Sequence, residues 1–232
     1  MAGKLYGVGV GPGDSKLLTI KAKEILESAD VIAVPVKAPG EESVALSIIH
    51  PVVDLRNKEI LPVIFKMERS EAERAECRKR AAGQIKGQLD LDKNVAMIVL
   101  GDISVYSTYY QAFKYIREEG YETETIPGIS AFSGGAALAQ TSLVEGNENM
   151  MVLSSLKGME SLKEALKMCD NLVVMKAGSS MTQIGEILRE QNLLDKTVVL
   201  SNIGMADEYI GPPAADRTYG YFTTLIIKKG GM

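Results

Sequence analysis

Two polar side chains that could do chemistry follow an apolar run in the middle of the chain. Asp102 and Tyr106 lie in the segment GDISVYST (101–108), directly after NVAMIVL (94–100). A carboxylate there can stabilise a cationic ligand by its charge, or it can accept hydrogen bonds within its own loop. Tyr106 can present its hydroxyl to a ligand or pack as an ordinary aromatic residue. The residue types alone leave both pairs of alternatives open.

A second candidate loop, GVGVGPGD (7–14), has four glycines in its first seven residues. Its glycines do not have the G-x-G-x-x-G spacing of a dinucleotide loop, and no Lys-Ser/Thr pair follows as in a P-loop. Pro12 removes one amide donor and Asp14 adds negative charge, so the loop is poorly suited to phosphate. It favours either a neutral or cationic ligand or a tight turn against a neighbouring strand.

Alternating strands and helices would position these loops. A third loop, PGISA (127–131), follows a strand that ends at Ile126, so all three loops follow predicted strands. In parallel sheets, ligands bind at the carboxyl ends of the strands near a topological switch point. The strands predicted in the first half are KLYGVGV (4–10), VIAVPV (31–36), EILPVIF (59–65) and NVAMIVL (94–100), with a charged helix over 70–90.

Shorter strand candidates begin at about residue 122 and alternate with helical segments at 131–139, 159–168 and 180–191. These candidates are ETETIPG, MMVLSS, NLVVMKA, TVVLSN and YFTTLIIKK. The pattern predicts an α/β protein of two domains with mainly parallel or mixed sheets. We place the boundary at Gly120, so that residues 1–120 carry the first two loops and residues 121–232 carry PGISA.

Composition and charge argue against several classes of protein. The chain has 232 residues, 46% of them hydrophobic, a mean hydropathy of +0.03 and a formal net charge of −4. No apolar run is long enough to span a membrane, and the amino terminus does not read as a signal peptide, which predicts a cytoplasmic protein. The acidic balance gives no footprint for nucleic acid. Cys77 and Cys169 are not spaced for a disulfide framework or a zinc site, and His50, before Pro51, is predicted to end a helix.

The three loops, in this order and spacing, resemble those of the tetrapyrrole methylases, which methylate uroporphyrinogen III and corrin precursors with S-adenosylmethionine (SAM). The resemblance runs from Leu5 to Lys228 and implies the fold of that family, with an active-site cleft between two domains. The segment LPVIFKM (61–67) resembles the members that methylate C20 of precorrin-2 or cobalt-precorrin-2. The chain departs from its relatives at Ile103 and Lys66, where proline is common.

The resemblance also implies roles for individual residues. Asp102 and Tyr106 are candidates to accept the C20 proton, beside a macrocycle nitrogen or water. Lys37 and Lys66, near predicted strand ends, are candidates to bind the substrate's carboxylates. The residues implied to bind SAM, or its product S-adenosylhomocysteine, are Pro12, Leu100, Gly101, Asp102, Val105, Ser130, Ala131, Lys176, Ala177, Gly204, Thr223 and Thr224.

The resemblance further implies a homodimer and no metal bound by the protein, since any cobalt would arrive inside the tetrapyrrole substrate. Alternative functions within the fold are those of a uroporphyrinogen III methylase, a diphthine synthase or a ribosomal-RNA ribose methylase. An alternative of another class is a non-catalytic module that binds SAM or a tetrapyrrole. The acidic pI near 5.3 argues against RNA, and LPVIFKM favours the C20 branch.

Overall fold

The structure is a computed structural model that describes residues 2–65, 70–154 and 158–231. The chain divides into two compact units, Met1–Ser130 and Ala131–Met232. Each unit contains one five-stranded sheet, so the predicted α/β class is confirmed. None of the helices in these residues is both long and apolar enough to cross a membrane.

The first unit contains a wholly parallel sheet in the order β3-β2-β4-β1-β5. The strands are β1 (Leu5–Gly9), β2 (Val31–Val36), β3 (Glu59–Ile64), β4 (Val95–Val99) and β5 (Thr123–Ile126). The helices are α1 (Ile20–Ser28), α2 (Val44–Ile49), α3 (Glu71–Leu89) and α4 (Tyr109–Glu118). His50 is the C-cap residue of α2, so the prediction that it ends a helix is confirmed.

Helices cover both faces of this sheet, which is why its central strands are apolar on both sides. Ala22 and Leu26 of α1 pack with α2 against one face. Ala112 and Ile116 of α4 pack with α3 against the other. The chain leaves β1 towards β2 and leaves β4 towards β5, in opposite directions along the sheet. The carboxyl ends of the adjacent strands β1 and β4 therefore form a topological switch point.

The division between the units differs from the predicted boundary at Gly120. Strand β5 pairs in parallel with β1, with Leu5 opposite Thr123 and Val8 opposite Ile126. This pairing attaches the chain as far as Ser130 to the first unit. Most of the PGISA loop therefore lies in the first unit, because it follows a strand of the first sheet.

The second unit has a mixed sheet in the order β6-β7-β10-β8-β9. Its strands are β6 (Met150–Ser154), β7 (Asn171–Met175), β8 (Thr197–Ser201), β9 (Tyr209–Gly211) and β10 (Thr223–Lys228), and its helices are α5 (Ala131–Leu138), α6 (Met159–Met168) and α7 (Met181–Glu190). Strands β6 and β7 are parallel, whereas β10 runs antiparallel to both β7 and β8. Helices α6 and α7 pack on one face and α5 on the other.

An ion cluster ties the outer strand β5 to its neighbours in the first unit. Glu124 of β5 accepts from Lys4, before β1, at 2.8 Å and lies 2.6 Å from the Lys21 ammonium of α1. Hydrogen bonds from Lys21 and Lys4 lower the pKa of Glu124 to about 2. The ionised form of Glu124 is therefore favoured in the folded state.

We predict that Glu124→Gln lowers the free energy of unfolding at pH 7 by about 0.5–1 kcal/mol, since half-exposed ion pairs contribute little more. A carboxylate whose pKa is depressed on folding stabilises above its unfolded pKa, and this contribution is lost as the pH falls through the folded value. The difference between wild type and variant should therefore shrink from about pH 4.5 and vanish near pH 2. Urea unfolding across this range measures it, with the exposed Glu122→Gln as the charge-matched control; a difference independent of pH would contradict the prediction.

Candidate functional site

The loops GVGVGPGD and GDISVYST are joined by hydrogen bonds where β1 and β4 end. Gly11 and Gly101 form an isolated antiparallel bridge: the Gly101 N–H donates to the Gly11 carbonyl at 2.8 Å, and the Gly11 N–H donates back at 3.2 Å. Gly11 has a φ of +82° and Gly101 a φ of +76°. Side chains are strongly disfavoured in this left-handed region, so both turns require glycine.

The PGISA loop packs against the same two loops through backbone alone. A Cβ atom on Gly9 would lie 2.7 Å from the Gly128 nitrogen and 2.8 Å from the Gly101 oxygen. A Cβ atom on Gly128 would likewise collide with the Gly101 oxygen and with the Gly9 backbone. Gly9, Gly101 and Gly128 therefore let three backbone segments of the protein pack directly against one another, as expected if the glycine-rich loop forms a tight turn. We call this packing the glycine contact.

Gly7 makes room for a side chain of α4. A Cβ atom there would lie 2.5 Å from Cζ of the Tyr109 ring. Tyr109 is fully buried, and burial raises the pKa of its hydroxyl. That hydroxyl has no hydrogen-bond partner within the described part of the chain. The sequence analysis did not single out Tyr109, although its place directly after the GDISVYST segment was visible.

Asp102 links two of the loops through its carboxylate. Its Oδ1 accepts from the Ser104 N–H at 2.8 Å and from the Ser104 hydroxyl, and its Oδ2 accepts from the Gly128 N–H at 2.8 Å. Burial raises the pKa of Asp102, but hydrogen bonds from Ser104, Gly128 and Ile103 outweigh it, so the pKa lies below its usual value. Asp102 is therefore ionised at neutral pH and satisfied by protein donors.

The other first-unit residues that the resemblance assigns to the cofactor lie beside these loops. Pro12 is buried after β1, Leu100 and Val105 are half-buried after β4, and Ser130 is buried after β5. All four follow carboxyl ends of the first sheet, so the fold brings them to one edge. Ala131, half-buried, is the first residue of α5 in the second unit.

Tyr106 lies at the same edge of the first sheet. Its side chain is 52% exposed, and its φ is +51°, an uncommon value for a tyrosine. Because about half of the residue is exposed, Tyr106 does not belong to the hydrophobic core. That its hydroxyl meets a ligand stays a prediction.

The structure describes only one of the two lysines predicted to bind the substrate's carboxylates. Lys37 directly follows β2, and its exposed ammonium lies 3.9 Å from the Glu41 carboxylate. Glu41 also accepts from the backbone N–H groups of Lys37 at 2.7 Å and Ala38 at 3.2 Å, so it closes this turn. Lys66 lies outside the described residues.

In the second unit, the predicted residues meet at one edge of the sheet, because β10 starts where β7 and β8 end. Lys176 follows β7 with a φ of +57°. The Ala177 N–H donates to the Thr223 carbonyl at 2.9 Å, and the buried Thr223 hydroxyl lies 3.1 Å from the Ser201 hydroxyl. The Thr223 side chain therefore hydrogen-bonds within the protein interior.

Gly204 and Thr224 complete this second set. Gly204 follows β8 with a φ of +71°, and its N–H donates to the Glu208 carboxylate at 2.7 Å. Thr224 is 5% exposed and pairs with Met175 and Leu200 of the neighbouring strands. The second unit thus offers backbone groups and small side chains at this edge, beside the charged Lys176 and Glu208.

Comparison with known proteins gives a family match over most of the chain. The model of the family Tetrapyrrole (Corrin/Porphyrin) Methylases matches residues 4–215. The chain is 36% identical over 209 residues to the probable cobalt-precorrin-2 C(20)-methyltransferase of Methanocaldococcus jannaschii, covering 89% of this chain and 80% of the relative. It is 28% identical over 233 residues to the cobalt-precorrin-2 C(20)-methyltransferase of Salmonella typhimurium, covering 99% and 98%.

A solved structure shares the fold. The crystal structure of a cobalt precorrin-4 methyltransferase, a cobalamin biosynthetic enzyme, superposes with a TM-score of 0.74 at 18% identity. The superposition covers 97% of this chain and 94% of the other. At this identity the likeness bears on the fold alone, and it agrees with the two-sheet architecture described above.

We predict that Gly9→Ala destabilises the protein by about 2 kcal/mol, because its methyl group would overlap two backbone atoms that have no free rotamer to move away. Gly83→Ala is the matched control: Gly83 is exposed in α3, and a Cβ there meets nothing within 4 Å. It should stabilise by about 0.5–1 kcal/mol. Chemical denaturation measures both; equal effects would contradict the glycine contact.

Proposed function

The chain belongs to the tetrapyrrole (corrin/porphyrin) methylases, and from this premise we propose that it transfers a methyl group from SAM to C20 of precorrin-2 or cobalt-precorrin-2 in corrin ring biosynthesis. The observation that carries the proposal is the likeness to two C(20)-methyltransferases over 89% and 99% of the chain. Both relatives are named for the cobalt complex.

The first-unit loops fit a cofactor of this kind. SAM, when bound, supplies an electrophilic methyl group on a positively charged sulfonium. The Asp102 carboxylate, held ionised by Ser104 and Gly128, joins the loop after β4 to the loop after β5 at the switch point. The bridge between Gly11 and Gly101 fixes the backbone around that charge. We propose that Pro12, Leu100, Val105 and Ser130 line the cofactor there, and that the second-unit residues named above also contact it.

The chemical task left to the protein is alignment and removal of one proton. The reduced macrocycle is an enamine-like carbon nucleophile, so positioning supplies much of the rate and no covalent enzyme intermediate is required. Asp102 is a weak candidate for the proton acceptor, because its pKa is lowered and both its oxygens already accept hydrogen bonds. Tyr106, exposed at the same edge, could accept the proton only after losing its own, so water or a macrocycle nitrogen stays an equal candidate.

We further propose that the enzyme is a cytoplasmic homodimer without a metal of its own. Within residues 2–65, 70–154 and 158–231, no three His, Cys, Asp or Glu side chains cluster as metal ligands would. Light scattering at micromolar concentration should give twice the 25.1 kDa mass of one chain. A particle of 25.1 kDa would contradict the dimer.

The direct experiment is a methyl-transfer assay with SAM that carries a 13C-labelled methyl group. The chain is offered precorrin-2, cobalt-precorrin-2 and uroporphyrinogen III separately, and the labelled product is located by NMR. We expect label at C20 of one or both precorrin-2 forms. Transfer to uroporphyrinogen III alone, or to none of the three, would contradict the proposal.

We predict that Gly101→Val abolishes the thermal stabilisation given by S-adenosylhomocysteine, since a β-branched residue is disallowed at a φ of +76°. In the wild type, a ligand that binds only the folded state raises Tm with concentration. Gly87→Val, on the exposed face of α3 where a Cβ meets nothing within 4 Å, is the control for introducing valine. Circular dichroism checks that both variants fold; an undiminished shift in Gly101→Val would place the ligand away from this loop.

A further inference from the structure

We infer that Asp102 is a positioning residue: its carboxylate holds the PGISA loop in the conformation that binds SAM, and it does not itself contact the cofactor. This rests on the proposed function, because it takes SAM as the ligand. Asp102 would then act through Gly128 rather than on the sulfonium or on the reacting carbon.

The hydrogen bond between Gly128 and Asp102 joins the ends of two strands that are not adjacent in the sheet. Strands β4 and β5 are not neighbours, because β1 lies between them. Asp102 follows β4 and Gly128 follows β5, yet the Asp102 Oδ2 accepts from the Gly128 N–H at 2.8 Å. Gly9, at the end of β1, has no side chain, and a Cβ there would collide with both Gly128 and Gly101. The carboxylate thus spans the switch point across a strand end that glycine keeps open.

Ser104 fixes the orientation of the Asp102 carboxylate. Ser104 donates to Oδ1 with both its N–H and its hydroxyl, which fixes the carboxylate and leaves Oδ2 directed at Gly128. Asparagine at this position can keep its oxygen on Ser104, but its amide nitrogen then faces the Gly128 N–H. Two donors cannot bond each other, so Asp102→Asn breaks the link to Gly128 while nearly preserving size and shape.

Gly128 lies close in the chain to a residue that is predicted to bind the cofactor. Ser130, which the resemblance assigns to the cofactor, follows Gly128 by two residues and is buried. A displaced Gly128 therefore displaces this part of the loop as well. The loss affects every ligand that needs the loop, whatever charge the ligand carries.

Three ligands separate this role from a direct contact. SAM has a sulfonium and an amino-acid moiety, S-adenosylhomocysteine lacks the sulfonium charge, and 5′-methylthioadenosine lacks both that charge and the amino-acid moiety. For Asp102→Asn, calorimetry should show all three affinities falling by a similar factor of about ten. A larger loss for SAM than for S-adenosylhomocysteine would indicate charge acting on the sulfonium. Unchanged affinity for 5′-methylthioadenosine would indicate a contact to the ammonium. Either result would overturn the inference.

Two control variants isolate the Gly128 bond. Asp54→Asn makes the same charge change at an exposed aspartate that also accepts from the N–H two residues later, Arg56. It precedes β3, at the opposite end of the strands, and should leave all three affinities unchanged. Ser104→Ala removes one donor to Oδ1 but keeps the Gly128 bond, and should change affinity less than threefold.

A measurement without ligand tests whether Asp102 restrains the backbone at Gly128. Amide exchange of Gly128, followed by NMR in glycine-labelled protein, should be at least tenfold faster in Asp102→Asn than in wild type or Asp54→Asn. Unchanged exchange would overturn the inference even if ligand affinity falls. If wild type binds none of the three ligands, the proposed function and the cofactor part of the inference both fail, and faster exchange still establishes the link between the loops.

Discussion

The close approach of three backbone segments at Gly9, Gly101 and Gly128 is the constraint on which the first unit's candidate site depends. Loops after three strands occupy one small volume at the switch point, and any side chain at Gly9 or Gly128 would overlap backbone. Backbone cannot rotate away as a side chain can, so the arrangement tolerates little change in sequence. The rigidity that results suits an enzyme whose main task is to align two reactants.

Charge at this site depends on the same packing. A partly buried carboxylate is costly unless it accepts hydrogen bonds, and Asp102 obtains them from Ser104 within its own loop and from Gly128 in another. These donors lower the pKa of Asp102 and keep it ionised, which makes it a poor base. Of the two alternatives that the sequence left open for Asp102, the structure shows the hydrogen bonds within the loops, and these are what the inferred positioning role depends on.

The sequence predicted the first sheet well, because strands buried on both faces read as continuous apolar runs. The first compact unit extends ten residues beyond the boundary predicted at Gly120, since β5 (TETI) is short and half-buried and lacks that signal. Strand β9 was missed because three residues beside a Gly-Pro-Pro loop carry no periodicity. The glycines suggested a tight turn or a ligand, and only the fold shows what fills the space. The sequence indicated that Asp102 could accept hydrogen bonds within its own loop, as Asx residues do, but the bond to Gly128 joins segments 26 residues apart and carries no sequence signal.

A crystal structure of the chain with S-adenosylhomocysteine tests the central claim most directly. The account predicts that the ligand contacts the segments around Leu100 and Ser130, while Gly9 still packs against Gly128 and the Asp102 carboxylate still accepts from the Gly128 N–H. A ligand inserted between Gly9 and Gly128, or bound away from this edge of the first sheet, would contradict it.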